Sequence, residues 1–320
     1  KWDGIGMATG LKELSINDVY MDGQLSDEVF ELANIKVLRC QFVGMHGPLP
    51  TRIGELTTLE RLNLYGNRFD STIPTEIGNL KKLHILDLSE NDFDGVLPAT
   101  LNGLEKLQRL EIHQSSRDGD GLSGALPSFD NLPNLNTLRL DSNSLTGEIS
   151  PQFLSGISDP DRELTIGLSY NSISGTVPEE LKAFSHVSID LVGNKISAIS
   201  EALCSEAEWN DGEVGAVGSC DAILCPKATY NVYGMASKEF NAACTDCPGA
   251  EFMGTTSCDT DTIDYSEKKF LDRLFDETGG PNWAEPNSWT ESGVEACDYE
   301  GVTCEDNSIT ELRLSSFGLS

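Results

Sequence analysis

The 320-residue sequence predicts an α/β solenoid built on short parallel strands, and three observations carry that expectation. Leu14, Leu38, Leu62, Leu86 and Leu110 stand 24 residues apart. Each sits in a phrase of two apolar residues flanking a polar one, as in Leu62-Asn63-Leu64 and Leu86-Asp87-Leu88. That alternation reads as a short strand with one buried face. Pro50, Pro74 and Pro98 then recur at a fixed phase, which an array of amphipathic helices would not tolerate.

Taken in order, the strands centre on Leu14/Ile16, Leu38/Cys40, Leu62/Leu64, Leu86/Leu88, Leu110/Ile112, Leu138/Leu140, Ile166/Leu168 and Ile189/Leu191, eight in all. Asn67, Asn91, Asn143, Asn171 and Asn194 follow the second apolar residue by three places. A buried amide there can satisfy backbone groups of a tight turn. Val19, Val43 and Ser115 occupy the same position and break the ladder. The steps from Leu110 to Leu138 and from Leu138 to Ile166 are 28 residues, so loop insertions are expected around 115–121 and 156–162. No 24-residue unit can bury its own apolar face, so stacking closes the core and the open ends need caps.

The second half of each repeat narrows the type. Gly47-Pro48-Leu49-Pro50, Gly95-Val96-Leu97-Pro98, Gly124-Ala125-Leu126-Pro127 and Gly175-Thr176-Val177-Pro178, with Ser71-Thr72-Ile73-Pro74, resemble the plant-type leucine-rich repeat over about residues 8–203. The resemblance implies a right-handed array with a concave parallel sheet, and a second short strand at each of these segments. On this reading residues 1–10 are a remnant of an N-terminal cap and residues 11–203 hold about eight repeats.

Six of the nine cysteines crowd between Cys204 and Cys258, immediately after the last repeat. Residues 204–263 therefore read as a disulfide cap, poor in large apolar residues and dependent on its bridges. Six cysteines allow 15 pairings and the sequence does not choose among them. Pairing in chain order, Cys204 with Cys220, Cys225 with Cys244 and Cys247 with Cys258, is the working expectation. Cys244-Thr245-Asp246-Cys247 has the spacing of a zinc half-site, but it stands alone and no histidine lies in the cap. Disulfides place the chain in an oxidising compartment, outside the cell. Cys40, in a strand's inward slot, reads as a small buried hydrophobe.

Beyond the cap, Asp264 to Thr278 carries Phe270, Leu271, Leu274 and Phe275 on one helical face and ends at Gly279-Gly280. With Trp283, Trp289, Cys297, Cys304 and the strand phrase Leu312-Arg313-Leu314, this stretch resembles the N-terminal cap that precedes plant-type repeats. The resemblance implies a Cys297–Cys304 disulfide and makes 264–320 the cap and first strand of a following module. Trp2-Asp3-Gly4-Ile5 also matches Tyr299-Glu300-Gly301-Val302, so the chain reads as one period of a tandem array. Met7 stands where Cys304 does. The whole is most similar to secreted or cell-surface leucine-rich repeat proteins of diatoms and related algae. No run of 18 apolar residues occurs, so no membrane-spanning segment is expected in this stretch.

The formal net charge of −30 argues against nucleic acid as a partner. His46, His84, His113 and His186 lie in different repeats beside no nucleophile motif, and no phosphate-binding glycine loop occurs. No enzyme and no cofactor are expected. Asp118-Gly119-Asp120-Gly121 lacks the further ligands of a calcium loop and reads as a solvated insertion. The leading expectation is a structural or adhesive protein whose modules join one another or other copies into a fibre or coat. The alternative is a receptor-type ectodomain that binds a peptide or glycan on its concave face. The outward strand positions are Ser15, Arg39, Asn63, Asp87, Glu111, Arg139, Gly167 and Asp190, which form no single stripe. Arg39, Phe42, Arg61, Asn63 and Tyr65 form the one local patch with the makings of a ligand site.

Overall fold

The computed structural model describes residues 4–114, 121–247 and 249–258, together with two short strands further on. The chain divides into two units, Lys1–Cys258 and Asp259–Ser320. In the second, Val302–Glu305 pairs antiparallel with Ser308–Leu312, placing Val302 opposite Leu312. The predicted helix, Trp283, Trp289, Cys297, Leu314 and the calcium-like loop at 118–120 lie outside the described residues.

In the first unit eight strands form one parallel sheet in chain order: Glu13–Asn17, Val37–Gln41, Arg61–Asn63, Ile85–Asp87, Arg109–Glu111, Thr137–Arg139, Leu164–Gly167 and Val187–Asp190. The register pairs Leu14 with Leu38, Leu38 with Leu62, and so on through Leu138, Ile166 and Ile189. Every repeat thus contributes a leucine or isoleucine at the same height, and one continuous apolar column runs from Leu25 to the cap. The solenoid predicted from the 24-residue period is the fold observed.

The segments expected to add a second strand do so in patches. His46–Pro48, Arg68–Thr72 and Asp92–Asp94 form a three-stranded parallel sheet, and two further pairs join Ser123–Ala125 to Ser144–Thr146 and Ser174–Val177 to Lys195–Ile199. After four of the prolines the chain turns through a short 3-10 helix: Thr51–Glu55, Thr75–Asn79, Ala99–Gly103 and Glu179–Ala183. Proline has no N–H to lose there, and its fixed φ suits the entry to a helical turn. Gly54 and Gly78 lie in these turns with their Cα hydrogens against the next repeat. A Cβ on Gly54 would fall 2.5 Å from Glu76 O, and one on Gly78 would collide with Thr100.

The ladder asparagines bind two repeats at once. Asn91 Nδ2 donates to Leu88 O at 3.0 Å in its own turn and to Leu64 O at 3.0 Å in the repeat before. Its Oδ1 accepts the N–H of Phe69 at 3.0 Å. Asn67, Asn143, Asn171 and Asn194 repeat the arrangement with Cys40 O, Ile112 O, Leu140 O and Leu168 O. Where Val43 interrupts the column, its side chain is fully buried and its N–H donates to Asn67 Oδ1 at 3.3 Å. Gln114, next to the interruption at 115, turns inward and donates to Phe93 O at 2.9 Å. Among the described residues no buried side-chain nitrogen or oxygen lacks a partner.

The cap differs from expectation in its packing. Leu203, Trp209, Val214, Ala222, Ile223 and Leu224 are fully buried and continuous with the solenoid core, so the segment is not poor in apolar contacts. Trp209 is the largest fully buried side chain among the described residues, and its Nε1 donates to Phe184 O at 2.8 Å. Asn210 closes the edge of the last strand: its N–H donates to Val187 O at 2.7 Å and its Oδ1 accepts the Ile189 N–H at 2.8 Å. Cys204 is bonded to Cys220, Cys225 to Cys244 and Cys247 to Cys258. Glu213, at the start of the helix Glu213–Val217, accepts the N–H groups of Lys238 and Glu239, which hold its carboxyl below the usual range.

Two outcomes are expected. Asn91→Ala strands Leu64 O, Leu88 O and the Phe69 N–H in a buried site, so urea denaturation should show a loss of about 3 kcal/mol. A loss under about 1 kcal/mol would mean that water replaces the amide. Under reductant, hydrogen exchange should rise first in residues 226–258, whereas 203–224 should stay protected by the Trp209 plug. Simultaneous opening of both segments would show that the bridges, not the plug, hold the cap on.

Candidate functional site

The outward face of the eight-stranded sheet presents three side-chain columns, one at each outward strand position and one at the turn that follows. At its centre Asn63 Nδ2 donates to Asp87 Oδ2 at 2.8 Å, and Asn63 Oδ1 accepts the Tyr65 N–H at 3.0 Å. Asp87 Oδ1 accepts the Ser89 N–H at 3.1 Å. Burial raises the Asp87 carboxyl above its ordinary range, only partly countered by that bond, and Glu111 adds to the rise. Asp190 is raised in the same way, chiefly by burial, against a bond from the Val192 N–H and a hydrogen bond with Ser169.

The predicted patch resolves into two places. Phe42 and Tyr65 meet edge to face with ring centroids 5.0 Å apart, and the Phe42 ring is 53% exposed. His113 extends this group: its ring lies 6.3 Å from that of Tyr65, and its Nδ1 lies 3.5 Å from Glu90 Oε1. Burial, then the carboxylates of Glu90 and Asp87, raises the Tyr65 hydroxyl. Arg61 lies at the other end of its strand, whereas Arg39 is mid-strand and in register with Asn63. They line a recess of about 440 Å³ with Glu13, Val37, Glu60, His84, Ile85 and Gln108, and Arg39 pairs with Glu13 at 3.5 Å. Four residues separate Arg61 from Tyr65 in an extended strand, roughly 13 Å. Asn63 stands beside Arg39 in register, and its amide is committed to Asp87.

A second recess of about 480 Å³ lies along the same edge, lined by Arg109, Asn136, Thr137, Arg162, Glu163 and Thr165. Arg109 is held by Glu111 at 2.7 Å and Arg139 by Asp141 at 3.2 Å. Sequence reasoning did not single out His113, Glu90 or Tyr170 for this face. Glu90 and Tyr170 stand two residues beyond the second apolar slot of a strand, as Phe42 does, and His113 one residue beyond it, as Tyr65 does; these phases are the signal that could have found them.

Cys40 is free and buried, and burial pushes its thiol up to about 12, as suits a packing residue and not a nucleophile. Among the described residues no three histidine, cysteine or carboxylate side chains gather as metal ligands, and no helix is long and apolar enough to cross a membrane.

Leucine-rich repeat family models match residues 57–115 and 134–155. The leucine-rich repeat ectodomain of the plant membrane receptor kinase GASSHO1/SCHENGEN3 from Arabidopsis thaliana, solved with CASPARIAN STRIP INTEGRITY FACTOR 2, is similar at 30% identity and a TM-score of 0.56. That match covers 65% of this chain and 24% of the ectodomain. The chain folds as a leucine-rich repeat solenoid. Its solenoid is similar to those of plant receptor ectodomains. A TDR receptor is similar at 27% identity and a TM-score of 0.58, covering 64% of this chain and 34% of that one. The Arabidopsis receptor kinase HAESA ectodomain, solved with an N-terminally extended IDA peptide hormone, is similar at 27% identity and 0.56, covering 64% and 33%. The chain thus spans about a quarter to a third of the ectodomains it matches. No curated protein sequence matches it significantly.

The raised carboxyls give a signed prediction. A carboxyl whose folded pKa exceeds its unfolded value favours folding below about pH 4 and loses that contribution as pH rises through the folded value. Asp190→Asn can keep the bonds to Val192 N–H and Ser169 without the buried charge. The variant should therefore melt above the wild type at pH 7, and the two melting curves should converge at pH 3.5. A lower melting temperature for the variant at pH 7 would show that the ionised carboxylate is the better partner.

Proposed function

We propose that the chain is an extracellular, non-enzymatic recognition module that binds an extended peptide along the outward face of its parallel sheet. The observation that supports this most directly is the Phe42, Tyr65 and His113 group, in which an exposed ring is buttressed at the open face of a rigid sheet. Large aromatic side chains held in place by their neighbours are the residues that dominate protein interfaces. Two of the similar ectodomains were solved with a bound factor or peptide hormone, and three disulfides favour an oxidising compartment.

A second reading, self-association of tandem modules into a fibre or coat, rests on a different feature. Val232, Tyr233 and Phe240 are 69%, 54% and 64% exposed on the cap, with the two rings 5.6 Å apart. Together with the self-matching ends of the sequence, they offer a contact surface for another copy or for an adjacent module.

Selection of a displayed library of random linear peptides against the folded chain tests the first reading. Selected peptides should bind at micromolar strength or better, and Glu111→Lys and Arg139→Glu, at the centre of the sheet, should each weaken them about tenfold. Enriched peptides indifferent to both substitutions, or no enrichment, would count against it. Filaments with a regular axial repeat in electron micrographs, abolished by Phe240→Ser, would favour the second reading instead.

A further inference from the structure

After seven of the eight strands of the sheet the chain turns through a single residue at positive φ. Asp18, Phe42, Gly66, Glu90, Ser142, Tyr170 and Gly193 hold φ between 52° and 70° at equivalent places in their repeats. Bulky side chains avoid this conformation because Cβ crowds the backbone, and they keep it only where their surroundings enforce it. Phe42 and Tyr170 nevertheless occupy it, at φ 52° and 54°.

The two aromatic positions share a second feature. One repeat further on, the equivalent turn residue is glycine in both cases, Gly66 after Phe42 and Gly193 after Tyr170. A Cβ on Gly66 would fall 2.6 Å from the Phe42 ring, and a Cβ on Gly193 would fall 2.6 Å from the Tyr170 ring. Each ring therefore lies across a glycine that leaves room for it, while remaining 53% and 42% exposed. The core gains little from rings so placed. The same construction stands twice, 128 residues apart, with polar residues or glycine at the turns between.

We propose that Phe42 and Tyr170 are paired aromatic platforms that anchor the two ends of an extended peptide, deepening the peptide reading of the sheet face on which this inference rests. Five strand spacings separate them, roughly 24 Å, which an extended peptide crosses in about seven residues. The columns nearest the rings carry Asp87, Glu90, Glu111 and Asp141 against Arg139, with Glu111 tied to Arg109 and Asp141 to Arg139. The fitting partner therefore has an apolar side chain at each end of a seven-residue span and basic residues inside it.

The test uses peptides selected from random linear 12-mers against the full chain, with affinities then measured on the wild type, Phe42→Gly and Tyr170→Gly. Glycine removes the ring and relieves the backbone, so both variants should melt within about 2 °C of the wild type. Each should weaken the selected peptides about tenfold, and the peptides should share two apolar residues six to eight positions apart. Peptides that bind both variants as tightly as the wild type, yet lose affinity to Glu111→Lys, would overturn the platforms and leave the peptide reading standing. A large fall in melting temperature in both variants would assign the rings to packing. Failure to enrich any peptide would overturn the proposal together with the reading beneath it.

Discussion

One side-chain amide in each of five repeats carries the architecture. An Asn at the ladder position donates to its own turn and to the turn before, and accepts an N–H from the preceding repeat, so neither repeat can close its buried backbone alone. Hydrophobic burial supplies the driving force for stacking and turns the same strand positions inward in every repeat. The amide reinforces that register, because a shift of one residue would leave several buried backbone groups without partners. Columns of leucine below and of turn residues above follow from that alignment.

The sheet was legible in the sequence because its signals are local and repeated. Leu14 to Ile189 stand where periodicity puts them, and the register of the eight strands follows from the equal spacing. Physics that acts only once in the chain was harder to read. Trp209 and Ile223 close the end of the array, but a cap has no second copy against which its pattern can be recognised. The disulfide-dense composition drew attention to the bridges and away from the plug beneath them.

The ligand patch shows a different limit. Arg39, Arg61, Phe42 and Tyr65 are close in sequence, and an extended strand carries its two ends far apart, so the arginines face one recess and the rings face another edge. Tyr170 is remote in sequence from Phe42 and shares its place in the repeat, two residues after the second apolar slot, but the positive φ and the glycine under each ring emerge only from backbone geometry. Local charge shows the same effect: in a chain of net charge −30, arginines nonetheless line both recesses at one edge of the sheet.

Gly54 and Gly78 extend this logic to the far side of the molecule. Their missing side chains let successive 3-10 turns touch backbone to backbone, which sets how closely the repeats approach on the side opposite the sheet. Strand spacing on the sheet is fixed by hydrogen bonds, so the difference between the two sides is the bend of the array. Curvature is therefore written in residues that never meet a ligand. A larger side chain there would wedge the turns apart, curl the sheet more tightly and shorten the chord between its two ends without altering one residue of the recognition face.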